Sequence, residues 1–530
     1  MIAGRGLSSR AVIGEIALVT CQPVAAWAGR CDRASQLAPA GFARALAQDT
    51  VAVIAYPWPK TPPSAADRAR YASASTTPYW LDALPPREPQ PPLRGAAETD
   101  LCIVGGGFTG LWAALHAKRE RPEREVLLLE AATIAFGASG RNGGFVSSSL
   151  THGIANGLDR FPQEIELLER LGLENFAGMR EDIRAHGIDC GWEETGSLAL
   201  AQEPHELAWL EEEVEQARRY GHDAELLDAA TVAREVRSPL YLGGSLIRSG
   251  EALVDPARLA AGLLDAALAA GVRVHEHSAA LSLQREQDGR VTVTTAAGQV
   301  RARNVLLGTS AFPPLLQRLR QYIAPVYDYV LVTEPLSTAQ IEAIGWRGRQ
   351  GLADCSNQFH YYRLTADDRI LFGGWDAVYR YGGPVSTRMD DAGEETFAVL
   401  SQHLATLFPV LSDVRFSHRW GGAIDTCSRF FPFFGTALGG SVSYAVGYTG
   451  LGVSATRFGA QVALDLLDGR ESEATRTRYV RTKPLPFPPE PLRSAVIQLT
   501  RNRLAAADRN GGERGLWLRT LDRLGLGFDS

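Results

Sequence analysis

The stretch Asp100–Gly110, "DLCIVGGGFTG", constrains the fold of this chain more than any other. A short apolar run, Leu101–Val104, reads as a buried parallel strand, and Phe108–Arg119 reads as a helix. Between them Gly105, Gly107 and Gly110 form GxGxxG. The first glycine permits a tight turn, the second lets a pyrophosphate approach, and the third lets the helix pack on the strand. The unpaired amides at Phe108 and Thr109, with the positive end of the helix, then face an anion. A second apolar strand, "VLLLE", closes on Glu130, twenty residues after Gly110. A carboxylate there accepts hydrogen bonds from ribose hydroxyls.

A contiguous NAD domain would continue into another helix and strand. This chain runs instead into "FGASGRNGGFVSS", a glycine- and serine-rich loop holding Arg141 and Asn142. Such a loop offers a nest of amides, a cation and a side-chain amide to a larger cofactor. Far downstream, "YAVGYTGLGVSATRFGAQVALDLLDG" repeats the strand, glycine turn (Gly447, Gly450, Gly452) and helix, without an acidic strand end. A second positive helix terminus suits the pyrimidine end of a flavin, which gains negative charge on reduction. Two such turns favour FAD over NAD.

The remaining composition narrows the class. In 530 residues, 45% are hydrophobic and 22% charged, a soluble globular mix with room for several domains. A net charge of −6 gives no basic stripe for nucleic acid. No apolar run is long enough to span a bilayer. The six cysteines form no CxxC pair and are scattered, which argues against a zinc site or disulfide framework and fits the reducing cytoplasm. His275 and His277 form one HxH, which on a strand shares a face, but no third ligand accompanies it. No metal is expected.

Along the chain, residues 1–66 read as a disordered leader or a misassigned start; Glu15 and Pro23 interrupt the one stretch that resembles a signal segment. Residues 67–96 contain "LPPREPQPPLRG", a proline-rich strap or linker. Helices are expected over 158–186 and 203–237. Another follows in "LVDPARLAAGLLDAALAAG", with Asp255 as its cap and Pro256 at its first position. The tail over 476–530 reads as an extended strap followed by basic amphipathic helices, packed on the parent domain or on a membrane surface.

At this point the chain resembles the FAD-dependent amine and amino-acid oxidase family, the group related to D-amino-acid oxidase, glycine oxidase and sarcosine oxidase. "SGRNGG" (139–144), "YYRLTADDRILFGG" (361–374) and "RWGGAIDTCSRFFPFFG" (419–435) look most like its gamma-glutamylputrescine oxidoreductase branch. The resemblance implies an α/β protein with a Rossmann-like FAD-binding domain (glutathione-reductase-like βαβ), assembled from residues 97–155, 240–315 and 415–475. A second, substrate domain built on a large mixed β-sheet takes 156–239 and 316–414. It places Ala280 at the adenine end and Thr309 near the pyrophosphate. Ser139, Arg141, Asn142, Gly143 and Gly144 line the flavin, as do Gly450, Leu451 and Gly452.

On the substrate side the resemblance assigns Arg363 to a carboxylate grip, for which a guanidinium has bidentate geometry. From the residues alone, Arg363 can equally form a salt bridge to Asp367 or Asp368. Tyr327, Tyr329, Tyr361, Trp375, Trp420 and Phe430 offer an aromatic wall for an ammonium. Some relatives hold FAD through a cysteine near the position of Cys427, but the motif here differs, so non-covalent FAD is expected. The reaction implied is oxidation of a C–N bond in an amine or amino acid, a gamma-glutamylated polyamine among the candidates, with electrons passing to O2. A same-fold dehydrogenase using a quinone or protein acceptor, or a non-catalytic FAD-binding subunit, are the alternatives.

Overall fold

The computed structural model describes residues 56–385 and 393–527. The first fifty-five positions of the expected leader therefore lie outside the described residues. The leader's end does not behave as one. Trp58 is buried, with its ring stacked 4.3 Å from His403 and tilted 4.5 Å from His360.

Two sheets carry the fold. The first has the parallel order Val442–Val446, Gly298–Leu307, Gly95–Val104, Val126–Leu129, Arg273–His275. Phe433–Ala437 adds an antiparallel edge, and a small hairpin leans on Gly298–Leu307. Strands buried on both faces explain the unbroken apolar runs at 101–104 and 126–129. The helices Phe108–Glu120, Pro256–Ala269 and Ala455–Leu467 cover one face and form one core with it. Asp255 caps the middle helix as expected, accepting from the amides of Ala257 and Arg258 at 3.0 Å.

The second sheet has nine strands and is mixed. Its spine is the ten-residue strand Ala324–Thr333, which pairs antiparallel with Phe416–Thr426 and, on its other side, with Ile370–Gly374. His360–Leu364 lies next in order. Three expectations change here. The helix expected over 203–237 ends at Arg219; Gly221, at φ +87°, turns the chain into the strand Ala224–Asp228. Gly243–Ile247 and Phe416–Thr426 belong to this second sheet, so the first-domain segments expected from 240 and 415 begin later. His275 ends its strand while His277 sits at φ +51°, so the two rings do not share a strand face.

The proline-rich strap is fastened to the first sheet. Arg87 pairs with the buried Glu276, donating to its two oxygens at 2.5 and 2.7 Å, and Glu276 also accepts from the amide of Gln90. At the far end, the helices Leu492–Arg509 and Leu516–Arg523 pack on the body of the protein. Among the described residues no helix is long and apolar enough to cross a membrane.

Candidate active site

One cavity of about 1150 Å³ runs from the first glycine turn to the second sheet. It exceeds the roughly 300–1,000 Å³ of an ordinary ligand pocket, as a dinucleotide plus a second molecule requires. At one end the turn is set by packing. Gly105 lies at φ +113°, and a Cβ on Gly110 would stand 1.9 Å from the Gly105 carbonyl oxygen. Gly110 therefore sits behind the cavity, while Gly105, Gly107, Phe108 and Thr109 line it.

Glu130 closes this end. Its carboxylate accepts from the amides of Gly106 (2.6 Å) and Ala132 (2.8 Å), which leaves two of its four acceptor sites. Burial raises its pKa, and the charge of Glu276 adds to the effect. Ala280 and Thr309 line the same end.

The 139–144 loop is held by its own polar groups. Ser139 Oγ accepts from the Phe108 amide at 2.9 Å and so caps the first helix, which takes from the expected anion one of the amides read as unpaired. Asn142 donates to the carbonyls of Ala138 and Ser139 and accepts from the Gly144 amide. Arg141 donates to the carbonyls of Phe136 and Gly421. Ser139, Arg141, Asn142 and Gly143 line the cavity; Gly144 does not, because it packs against the Val254 carbonyl.

The second turn meets the first across the chain. Thr109 Oγ1 donates to the Tyr448 hydroxyl at 3.1 Å. Asp425 accepts from the Gly447 amide at 2.6 Å, and burial pushes its pKa up to about 6. Gly450, Leu451 and Gly452 line the cavity, and apart from chain neighbours no described atom lies within 4 Å of where a side chain on Gly450 or Gly452 would start. That emptiness fits a ring system lying against the turn. His152 also lines this region, its Nε2 facing the Thr449 carbonyl at 3.1 Å; nothing in its local sequence marked it.

The substrate end corrects the sequence reading. Arg363 is 3% exposed and lies outside the lining. Its guanidinium donates to the Val254 carbonyl at 2.7 Å and stands over the Trp80 ring. It grips backbone, not a substrate carboxylate, and neither Asp367 nor Asp368 is its partner: they pair with Arg369 and Arg349. Of the aromatic wall, Tyr327, Tyr361, Trp375 and Phe430 line the cavity. Trp420 instead donates to the Arg141 carbonyl, and Tyr329 packs edge-on to Phe397. Tyr327 spends its hydroxyl on the Pro384 carbonyl. Cys427 is buried outside the lining, its thiol 3.2 Å from the Phe431 carbonyl.

The residue that sequence reasoning passed over stands between two it named. Asp328 opens onto the cavity and accepts from the Tyr361 hydroxyl at 2.5 Å and from the Tyr329 amide at 2.9 Å. Burial pushes its pKa up to about 6. Among the described residues no cation lies within ion-pair distance of it. The signal was present: a lone charge inside the alternating apolar run "YDYVLVT".

The family model described as DAO, FAD dependent oxidoreductase, matches residues 100–466. The chain belongs to this family. FAD is thus its cofactor, and the chain is an FAD-dependent oxidoreductase. Among relatives of the family, gamma-glutamylputrescine oxidoreductase of Escherichia coli (strain K12) is 35% identical over 410 residues, covering 74% of this chain and 89% of that protein. A probable oxidoreductase OrdL of Haemophilus influenzae is 28% identical over 405 residues, covering 74% of this chain and 88% of its own length. The crystal structure of glycine oxidase from Geobacillus kaustophilus shares the fold, with a TM-score of 0.61 at 20% identity, covering 73% of this chain and all of that one.

Proposed function

We propose that the protein oxidises the C–N bond of an amine to an imine, which water hydrolyses, with O2 as electron acceptor and FAD held without a covalent link. The observation that carries this reading is Asp328, a cavity-facing carboxylate with a hydroxyl partner and no cationic one. FAD bound in this cavity would supply the acceptor for the hydride equivalent of the carbon that bears the nitrogen. Asp328 attracts the substrate ammonium and accepts a proton at a carboxylate lone pair that the Tyr361 hydroxyl and the Tyr329 amide leave open, releasing the neutral amine that oxidation needs. A carboxyl raised to about 6 is ionised at neutral pH yet basic enough for that transfer. Tyr361 holds the carboxylate in place as a neutral donor, since burial and the adjacent charge keep its phenol well above its usual value. Trp375 and Phe430 line the same cavity and are the aromatic groups available to that cation.

An amine suits this cavity better than an amino acid. The arginines of the lining are engaged by the protein itself: Arg141 by carbonyls, Arg501 by Asp376 and Arg514 by Asp522. A gamma-glutamylated polyamine, the substrate class in the name of the Escherichia coli relative, remains within this reading through its terminal amine.

The test is anaerobic bleaching of the yellow holoenzyme by a panel of amines, repeated in Asp328→Asn. We expect one amine class to reduce the flavin, with kcat/KM falling as the pH drops through about 6. Asp328→Asn should keep its FAD, lose about a hundredfold in kcat/KM, as two to three kcal/mol for a charge-assisted contact implies, and lose the acid limb. Retention of full activity by Asp328→Asn would remove the carboxylate from the reaction.

A further inference from the structure

Residues 484–527 follow the region matched to the family model, and they build part of the cavity wall. They are tied down by polar contacts at several points. Phe487 donates its amide to the Gln321 carbonyl at 2.7 Å, and Ser428 donates to the Leu485 carbonyl at 2.6 Å. Arg501 makes a two-pronged ion pair with Asp376 at 2.6 and 2.5 Å. Asp508 accepts from the amides of Asn357 (3.0 Å) and Gln358 (2.9 Å), two further residues of the lining.

What this segment turns toward the cavity is apolar. Val496, Ile497, Thr500 and Leu504 recur on one face of the helix Leu492–Arg509, and Leu521 joins them from the next helix. Its two lining cations are neutralised, Arg501 by Asp376 and Arg514 by Asp522. The same lining holds Asp328 and Trp375. The cavity thus joins a carboxylate that attracts a nitrogen to a greasy surface contributed by the C-terminal segment.

We propose that this segment is a specificity wall, and that the amine oxidised carries an unbranched or bulky apolar substituent several carbons long. Its nitrogen lies at Asp328 and its hydrocarbon lies against Val496, Ile497, Leu504 and Leu521. The proposal rests on the reading of Asp328 given above. Each methylene buried against such a wall adds about a three- to fourfold gain in affinity.

The experiment is a titration of the holoenzyme with n-alkylamines from butylamine to octylamine. Binding is read from the perturbed flavin spectrum under anaerobic conditions, and bleaching is followed separately. Kd is expected to fall about three- to fourfold per methylene. Leu504→Asn and Leu521→Asn should flatten that dependence. Leu504→Trp, which keeps the wall apolar, should cut it off at a shorter chain. Leu516→Gln, on a side chain 81% exposed, should preserve it. A Kd independent of chain length, or a dependence untouched by the Leu504 and Leu521 variants, would overturn the wall. Chain-length-dependent binding without any bleaching would keep the wall and overturn the oxidation reading. Bleaching by short polar diamines with no chain-length dependence would do the reverse.

Discussion

The two glycine turns look alike as strings but differ in what surrounds their last glycines. At the first, the protein fills the space that side chains would need: a Cβ on Gly105 would stand 2.4 Å from the Gly308 carbonyl oxygen, and one on Gly110 still closer to backbone. At the second, Gly447 (φ +83°) packs against Phe433 and Gly450 lies at φ +91°, but apart from chain neighbours no described atom lies within 4 Å of a Cβ on Gly450 or Gly452. The first turn therefore needs its glycines to fold. Packing places no such demand on Gly452.

Four substitutions separate these cases. Gly110→Ala forces the helix Phe108–Glu120 off its strand. We expect a loss beyond the ~1–3 kcal/mol typical of overpacking, with the protein purifying colourless or insoluble. Glu130→Ala leaves the Gly106 amide without its acceptor. The expected cost is ~1–3 kcal/mol in thermal unfolding, with weaker FAD retention in the visible flavin absorbance.

Asp425→Asn tests how the second turn is held. The folded pKa of Asp425, about 6, lies above its ordinary 3.8, so the stability linked to this group is complete below that lower value and is lost as pH rises through about 6. The asparagine variant cannot ionise, and its Tm should fall less between pH 4 and 7 than that of the parent. Gly452→Ala should change the Tm of the FAD-free protein least, within about 0.5 kcal/mol, while weakening FAD binding severalfold. A large loss of FAD-free stability in that variant would contradict the contrast between the turns.

The same contrast explains what was readable in the sequence. Asp100–Gly110 and Glu130 depend on neighbours a few residues away, so spacing reveals them. The hydrogen bond from Thr109 to Tyr448 joins residues 339 positions apart, and no local pattern encodes it. Arg363 illustrates the limit more sharply. Alternation puts it on the same strand face as Tyr361, about 7 Å further on, and that short step takes it from the cavity to beneath the Val254 carbonyl. Asp328 carried a signal in its own strand, but its importance comes from Tyr361, on a strand two places away in the sheet. The amphipathic pattern of the C-terminal helices was visible; the surface they would meet was not.

The strand order of the first sheet also sets a timetable. Gly95–Val104 takes its neighbour on one side from Val126–Leu129, but on the other from Gly298–Leu307, roughly two hundred residues later, some 10–40 s of synthesis at about 5–20 residues per second. Every glycine turn and strand at the cofactor end precedes the helix that finishes at Leu467, whereas the apolar wall begins only at residue 484. On the ribosome both glycine turns are therefore written out in full while the wall proposed for the substrate has still to be made.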